Sequence, residues 1–113
     1  MDNYFKPDEL KCKCCGESSM DVRFMVKLNA ARYLCGFPFV LNSAYRCREH
    51  NKAVGSTSGN HVTGKAADIR CLNSHDRFLL TKALLDVGML GIGIGPLFIH
   101  ADINRETPMI WLY

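Results

Sequence analysis

From Leu97 to Asn104 the chain alternates between two kinds of side chain, and this constrains its fold more than any other stretch. Successive side chains of a strand point to opposite faces. Ile99, Ala101 and Ile103 therefore share one face, while Phe98, His100, Asp102 and Asn104 share the other. The first set belongs in a core. The second mounts an imidazole beside a carboxylate on a rigid element. The plainer alternative is the solvated polar face of an edge strand.

The segments around this strand predict its surroundings. Pro7-Asp8-Glu9-Leu10 reads as a helix start with Pro in the first turn, inside an N-terminal arm over residues 1–19 that Tyr4 and Phe5 anchor. Between Met20 and Cys35, the apolar positions Val22, Met25, Val26, Leu28, Tyr33 and Leu34 follow helical spacing, and Gly36 is a natural stop. Phe37 to Ser43 reads as a strand with Pro38 at its entry. Arg46 to Val54 reads as a short polar helix, followed by the loop Gly55-Ser56-Thr57-Ser58-Gly59. Ala66 to Cys71 reads as a strand. Ser74 is the expected cap of a second helix that buries Phe78, Leu79, Leu80, Leu84 and Leu85 and ends at Gly88. Three β-prone runs follow, at Leu90–Ile94, Leu97–Ile103 and Met109–Tyr113. A helix-rich front and strand-rich back predict an α+β fold, with a small antiparallel sheet packed against helices. At 113 residues, with no repeat or internal boundary, the chain makes one domain.

Composition narrows the function classes. A formal charge of +3 suits an anionic target such as a cell wall without requiring one. No basic run carries interleaved aromatics, so no nucleic-acid partner is expected. The apolar stretch Val87–Ile99 is broken by glycines and Pro96 and is too short to span a bilayer. Met1 to Lys6 lacks a basic region leading into an apolar run, which predicts synthesis in the cytoplasm without a secretory signal. Cysteine is abundant, with 6 residues at Cys12, Cys14, Cys15, Cys35, Cys47 and Cys71. A disulfide framework is one reading of them, but a reducing compartment argues against it. Cys12-Lys13-Cys14-Cys15 is too tight for the usual zinc knuckle, and Cys35 and Cys71 read as small buried hydrophobes.

The chemistry concentrates in Gly59-Asn60-His61-Val62-Thr63-Gly64-Lys65-Ala66-Ala67-Asp68 and in His100. Gly64 allows a sharp bend that brings His61 and Asp68 together. A hydrogen-bonded surface pair is the alternative. Two imidazoles and one carboxylate are a ligand set for a catalytic zinc with an open position, and they leave the ion a net charge of about +1, still able to acidify water. His75 and Asp76, at a helix start, read as capping or surface groups.

The run His61-x-x-Gly64-x-Ala66-x-Asp68, with the later His100 and Asp102, resembles the zinc D-alanyl-D-alanine peptidases of the M15 type, particularly short phage and bacterial members that cut peptidoglycan peptides. Ser43-Ala44-Tyr45-Arg46 is similar to a second motif of that family. Phe5 to Cys15 resembles the start of many phage relatives, and Gly91-Ile92-Gly93 with Trp111 resembles their final sheet. The resemblance implies a Hedgehog/DD-peptidase-like fold, with His61, Asp68 and His100 as Zn²⁺ ligands. It also implies that Arg46 binds the scissile carbonyl oxygen or a substrate carboxylate, which a fixed guanidinium suits. Ser43, Tyr45, Ser58 and Asn60 are the accompanying candidates for substrate contacts.

Two positions depart from the family pattern. Gly59 stands where Ser usually precedes the first ligand by two places. Leu97 stands where the best-known relatives carry the acidic general base, three residues before the last histidine. Asp102 is the remaining candidate base, the alternative being that it orients a ligand. The expectation is thus a monomeric, endolysin-like zinc peptidase acting on peptidoglycan stem peptides of the bacterial cell wall, as a carboxypeptidase or an endopeptidase. Its rivals are a non-catalytic, zinc-containing cell-wall binding module on the same fold and a structural domain cross-linked by its cysteines.

Overall fold

The computed structural model describes residues 3–12, 19–44 and 63–113. A single turn of helix, α1 (Pro7–Leu10), tucks Phe5 and Leu10 into the core. Helix α2 (Val22–Cys35) begins where the Asp21 carboxylate accepts from the Phe24 N–H, and it ends at Gly36, whose φ of 78° is left-handed. Its buried stripe is Phe24, Leu28 and Ala31, at helical spacing. Val22, Val26, Tyr33 and Leu34, expected on that stripe, are exposed instead.

Helix α3 (Ser74–Asp86) is capped by Asn73, which accepts from the Asp76 N–H. Ser74, the expected cap, is therefore the first helical residue, and Asp76 takes the capping role read for it through a further bond from the Asn73 amide. Leu80, Ala83 and Leu84 of α3 are buried, whereas Phe78 is 67% exposed and Leu85 is also exposed. Both helices misled in the same way: each carries more apolar residues than one sheet face can cover, and which of them are buried depends on how the helix is rotated about its own axis.

The strands are β1 (Leu41–Ser43), β2 (Ala66–Arg70), β3 (Gly91–Ile94), β4 (Phe98–Asp102) and β5 (Met109–Leu112), in the spatial order β1-β2-β4-β3-β5. Only the end of the expected strand from Phe37 to Ser43 joins the sheet. The fold is α+β, but the sheet is mixed rather than antiparallel, because β5 runs parallel to β3. The connectivity forces this. The short link after β4 returns the chain antiparallel to β4, whose two edges are already taken by β2 and β3. Of the two sheet edges formed by β1 and β3, the chain takes the outer side of β3, one strand from β4, and a strand antiparallel to β4 is parallel to β3.

One face of the sheet contributes Ala67 and Ile69 of β2, Ile92 of β3, and Ile99 and Ala101 of β4 to the core shared with the helices. The opposite face carries one cross-strand row. Ser43 pairs with Asp68, Asp68 with His100, His100 with Gly93, and Gly93 with Trp111. Directly paired residues lie on the same side of a sheet, so this row brings the polar groups of separate strands into contact. The expected helix over Arg46–Val54 and the loop Gly55–Gly59 lie outside the described residues.

Candidate active site on the open face of the sheet

His100 is the centre of the row. Alternation along β4 puts Ile99 and Ala101 into the core and turns His100 to the other face, where only 4% of it is exposed. Its Nδ1 lies 2.9 Å from Asp68 Oδ1 on β2, and its Nε2 lies 2.7 Å from Asp102 Oδ2. Asp102 is 0% exposed and engaged through both oxygens. Arg105 donates to it twice, from Nε to Oδ1 at 2.9 Å and from Nη2 to Oδ2 at 2.6 Å, and the Asn104 N–H donates to Oδ1 at 3.2 Å.

The electrostatics follow from these contacts. Burial opposes ionisation of Asp102, but the hydrogen bonds from His100 and Arg105 outweigh it and bring the carboxyl down to about 2. Burial likewise opposes the imidazolium form of His100, and the bonds and charges of Asp102 and Asp68 outweigh it, so the ring titrates above its usual value. A cation is therefore favoured between the two carboxylates. A proton on Nδ1 is one way to provide it.

The strand beside β4 is shaped to admit these groups. A Cβ on Gly91 would lie 2.5 Å from Arg105 Nε and from both Asp102 oxygens. A Cβ on Gly93 would lie 2.7 Å from the Trp111 indole, whose ring sits 5.4 Å from the His100 ring. Arg105 in turn stacks over Trp111, 4.6 Å from the ring centroid. Gly64, just before β2, makes room for the backbone ahead of α2 instead. Its φ is +72°, and a Cβ there would run into the Ser19 carbonyl, while its own carbonyl accepts from the Asp21 N–H. The bend expected before Asp68 is present, and it is pinned to the start of α2.

Of the candidate residues, Asp68, His100 and Asp102 come together, and Ser43 sits beside Asp68 on the neighbouring strand. Tyr45, Arg46, Ser58, Asn60 and His61 lie outside the described residues. Leu97 is 58% exposed at the β3–β4 turn and offers no acid. Arg105 belongs to no motif. Its one signal in the sequence is an opposite charge three residues after Asp102. Cys12, Cys35 and Cys71 form no disulfide with one another. Burial raises the Cys35 thiol to about 11 and shifts Cys71 upward too, consistent with small hydrophobes rather than nucleophiles. Cys14, Cys15 and Cys47 lie outside the described residues.

The donors on this face suit zinc. Adjacent ligands of a tetrahedral zinc at its usual bond lengths are separated by about 3.3 Å, close to the 2.9 Å between Nδ1 and Oδ1. The carboxylate on the far nitrogen is the common outer partner of a metal-binding histidine. Among the described residues no three His, Cys, Asp or Glu are grouped to hold a metal, the expected third donor being His61.

A family model described as peptidase M15 matches residues 3–102. The chain belongs to the peptidase M15 family. The matched span takes in Asp68, His100 and Asp102, and zinc dependence is general in the family. Arg105 and Trp111 follow the last matched residue. Comparison with curated proteins gives no match. Among the described residues no helix is long and apolar enough to cross a membrane.

Proposed function

We propose that the protein is a zinc-dependent peptidase that hydrolyses peptidoglycan stem peptides, with His61, Asp68 and His100 as its metal ligands. The observation that carries this reading is His100 held between Asp68 and a fully buried Asp102, in a chain of the peptidase M15 family. Bound zinc would supply Lewis acidity toward the scissile carbonyl, with a coordination position left open by three protein ligands.

The residues of the chain have separable tasks. Asp68 neutralises part of the metal charge. Asp102 positions His100: with both oxygens engaged and no exposure to solvent, it is poorly placed to take a proton from water. With zinc in place of the Nδ1 proton, the ring would keep its other proton on Nε2, facing a carboxylate that stays ionised, and would offer Nδ1 to the metal beside Asp68. Arg46 is the proposed oxyanion-stabilising cation. Ser43, Tyr45, Ser58 and Asn60 are the proposed substrate contacts, and the pairing of Ser43 with Asp68 supports the first of them. The proposed setting is the bacterial cell wall, reached by a monomeric endolysin-like enzyme.

Digestion of defined muropeptides, followed by mass spectrometry, tests this reading. Release of D-alanine identifies a carboxypeptidase and internal cleavage an endopeptidase. Either activity is lost on chelation and restored by zinc. Intact muropeptides after incubation with zinc-loaded protein would sink the catalytic reading. The exposed Leu97 at the expected base position favours one alternative, a zinc-containing module that binds the wall without turnover. Retention on insoluble peptidoglycan with no released peptide would establish it.

A further inference from the structure

We propose that Arg105 is a positioning residue for the metal site, clamping Asp102 so that His100 keeps Nε2–H toward Asp102 and turns Nδ1 toward Asp68. The inference rests on the zinc reading above and adds to it a residue that follows the matched part of the chain.

A carboxylate with no solvent exposure orients a ring well only if it cannot rotate. Among the described residues, Arg105 Nε, Arg105 Nη2 and the Asn104 N–H donate to the two oxygens of Asp102, and His100 Nε2 lies within hydrogen-bond distance of one of them. The two from Arg105 form a planar fork, which fixes the carboxylate plane in a way a single point charge does not. The fork is itself held, because its guanidinium lies over the Trp111 ring and above the bare backbone of Gly91, the ladder partner of Asp102. Trp111 lies over Gly93, the ladder partner of His100. Two glycines on β3 and two side chains from the chain after β4 thus form one support under the His100–Asp102 pair. A role in charge neutralisation alone would need neither the fork nor the cleared strand.

The experiment compares zinc affinity, by competition with a chromophoric chelator, in native protein, Arg105→Met, Arg105→Lys and Gly91→Ala. The ¹⁵N spectrum of His100 is recorded on the native zinc-loaded protein. Loss of an outer partner typically weakens metal affinity about 10- to 100-fold. Arg105→Met is expected in that range, Gly91→Ala is expected to move the same way, and Arg105→Lys is expected to recover only part of the loss. The native spectrum is expected to show Nε2 protonated and Nδ1 metallated, and this holds even if a variant does not fold. Native affinity in Arg105→Met, full recovery by Arg105→Lys, or metal on Nε2 overturns the clamp while leaving the zinc reading intact. A native protein that takes up no zinc overturns that reading and the inference with it.

Discussion

The two faces of β4 are almost equally removed from water, yet different forces hold them there. On one face Ile99 and Ala101 pack among helix side chains, where the interaction is non-directional and scales with the area buried. On the other, His100 and Asp102 are retained by a chain of directional bonds running from Asp68 to Arg105. An apolar face adapts in small steps when a methylene is lost. A buried polar chain does not, because removing one member leaves its neighbour desolvated and unpaired. The comparison also explains why a protein with an ordinary core spends two glycines, at 91 and 93, beside one small patch. Directional bonds need backbones and side chains to approach closely.

The largest expected effect falls on the polar face. His100→Ala should lower stem-peptide hydrolysis by at least about a thousandfold, the order seen when one member of a catalytic unit is removed. The metal-free fold should survive by circular dichroism. Muropeptide turnover near the native rate would break the functional distinction between the faces. Ile99→Ala, one position away on the apolar face, should do the reverse. Urea unfolding is expected to register a loss of about 2–5 kcal/mol, while zinc affinity of the folded fraction stays within about threefold of native, since the Ile99 side chain lies on the opposite face of the strand from the donors.

A smaller effect is expected from pH in the metal-free protein. The Asp102 carboxyl is held at about 2, so its contribution is complete above the unfolded value of about 3.9 and is lost as pH falls through the folded one. It is on the order of 2 kcal/mol. His100 is shifted the other way, so its contribution is complete below about 6.5 and is lost as pH rises through the raised folded value. Stability should therefore be greatest between about pH 4 and 6.5. Zinc should invert the alkaline limb, because the ion competes with the His100 proton and is held more tightly as pH rises. Thermal melts across pH with and without zinc check both signs, and a flat metal-free profile would show that the polar chain contributes nothing. Ile92→Val should have the smallest effect, about 0.5–1.5 kcal/mol in urea, with the pH profile unchanged in shape.

Much of this was legible without coordinates where a local rule was enough. Strand alternation assigned Ile99 and Ala101 to the core and turned His100 and Asp102 away from it. Gly36 and Gly64 marked positions that need left-handed backbone, and both have it. Local rules failed where the answer lay in another element. The direction of β5 depended on which sheet edge was vacant. The exposure of Phe78 and the cap at Asn73 depended on how α3 sits and starts. Arg105 stayed invisible because a guanidinium after a strand looks like any surface cation until Trp111 and Gly91 are brought under it.

By itself, then, the sequence determined the α+β class, the family and the pairing of an imidazole with a carboxylate on one strand face. Those features follow from periodicity and from motifs contained in short segments. Tertiary structure alone decided that Asp102 is a fully buried, clamped carboxylate rather than an accessible one. His100, Asn104 and Arg105 had to converge on it before its solvent and its rotational freedom were taken away, an arrangement that supports the orienting role proposed for it over that of a base.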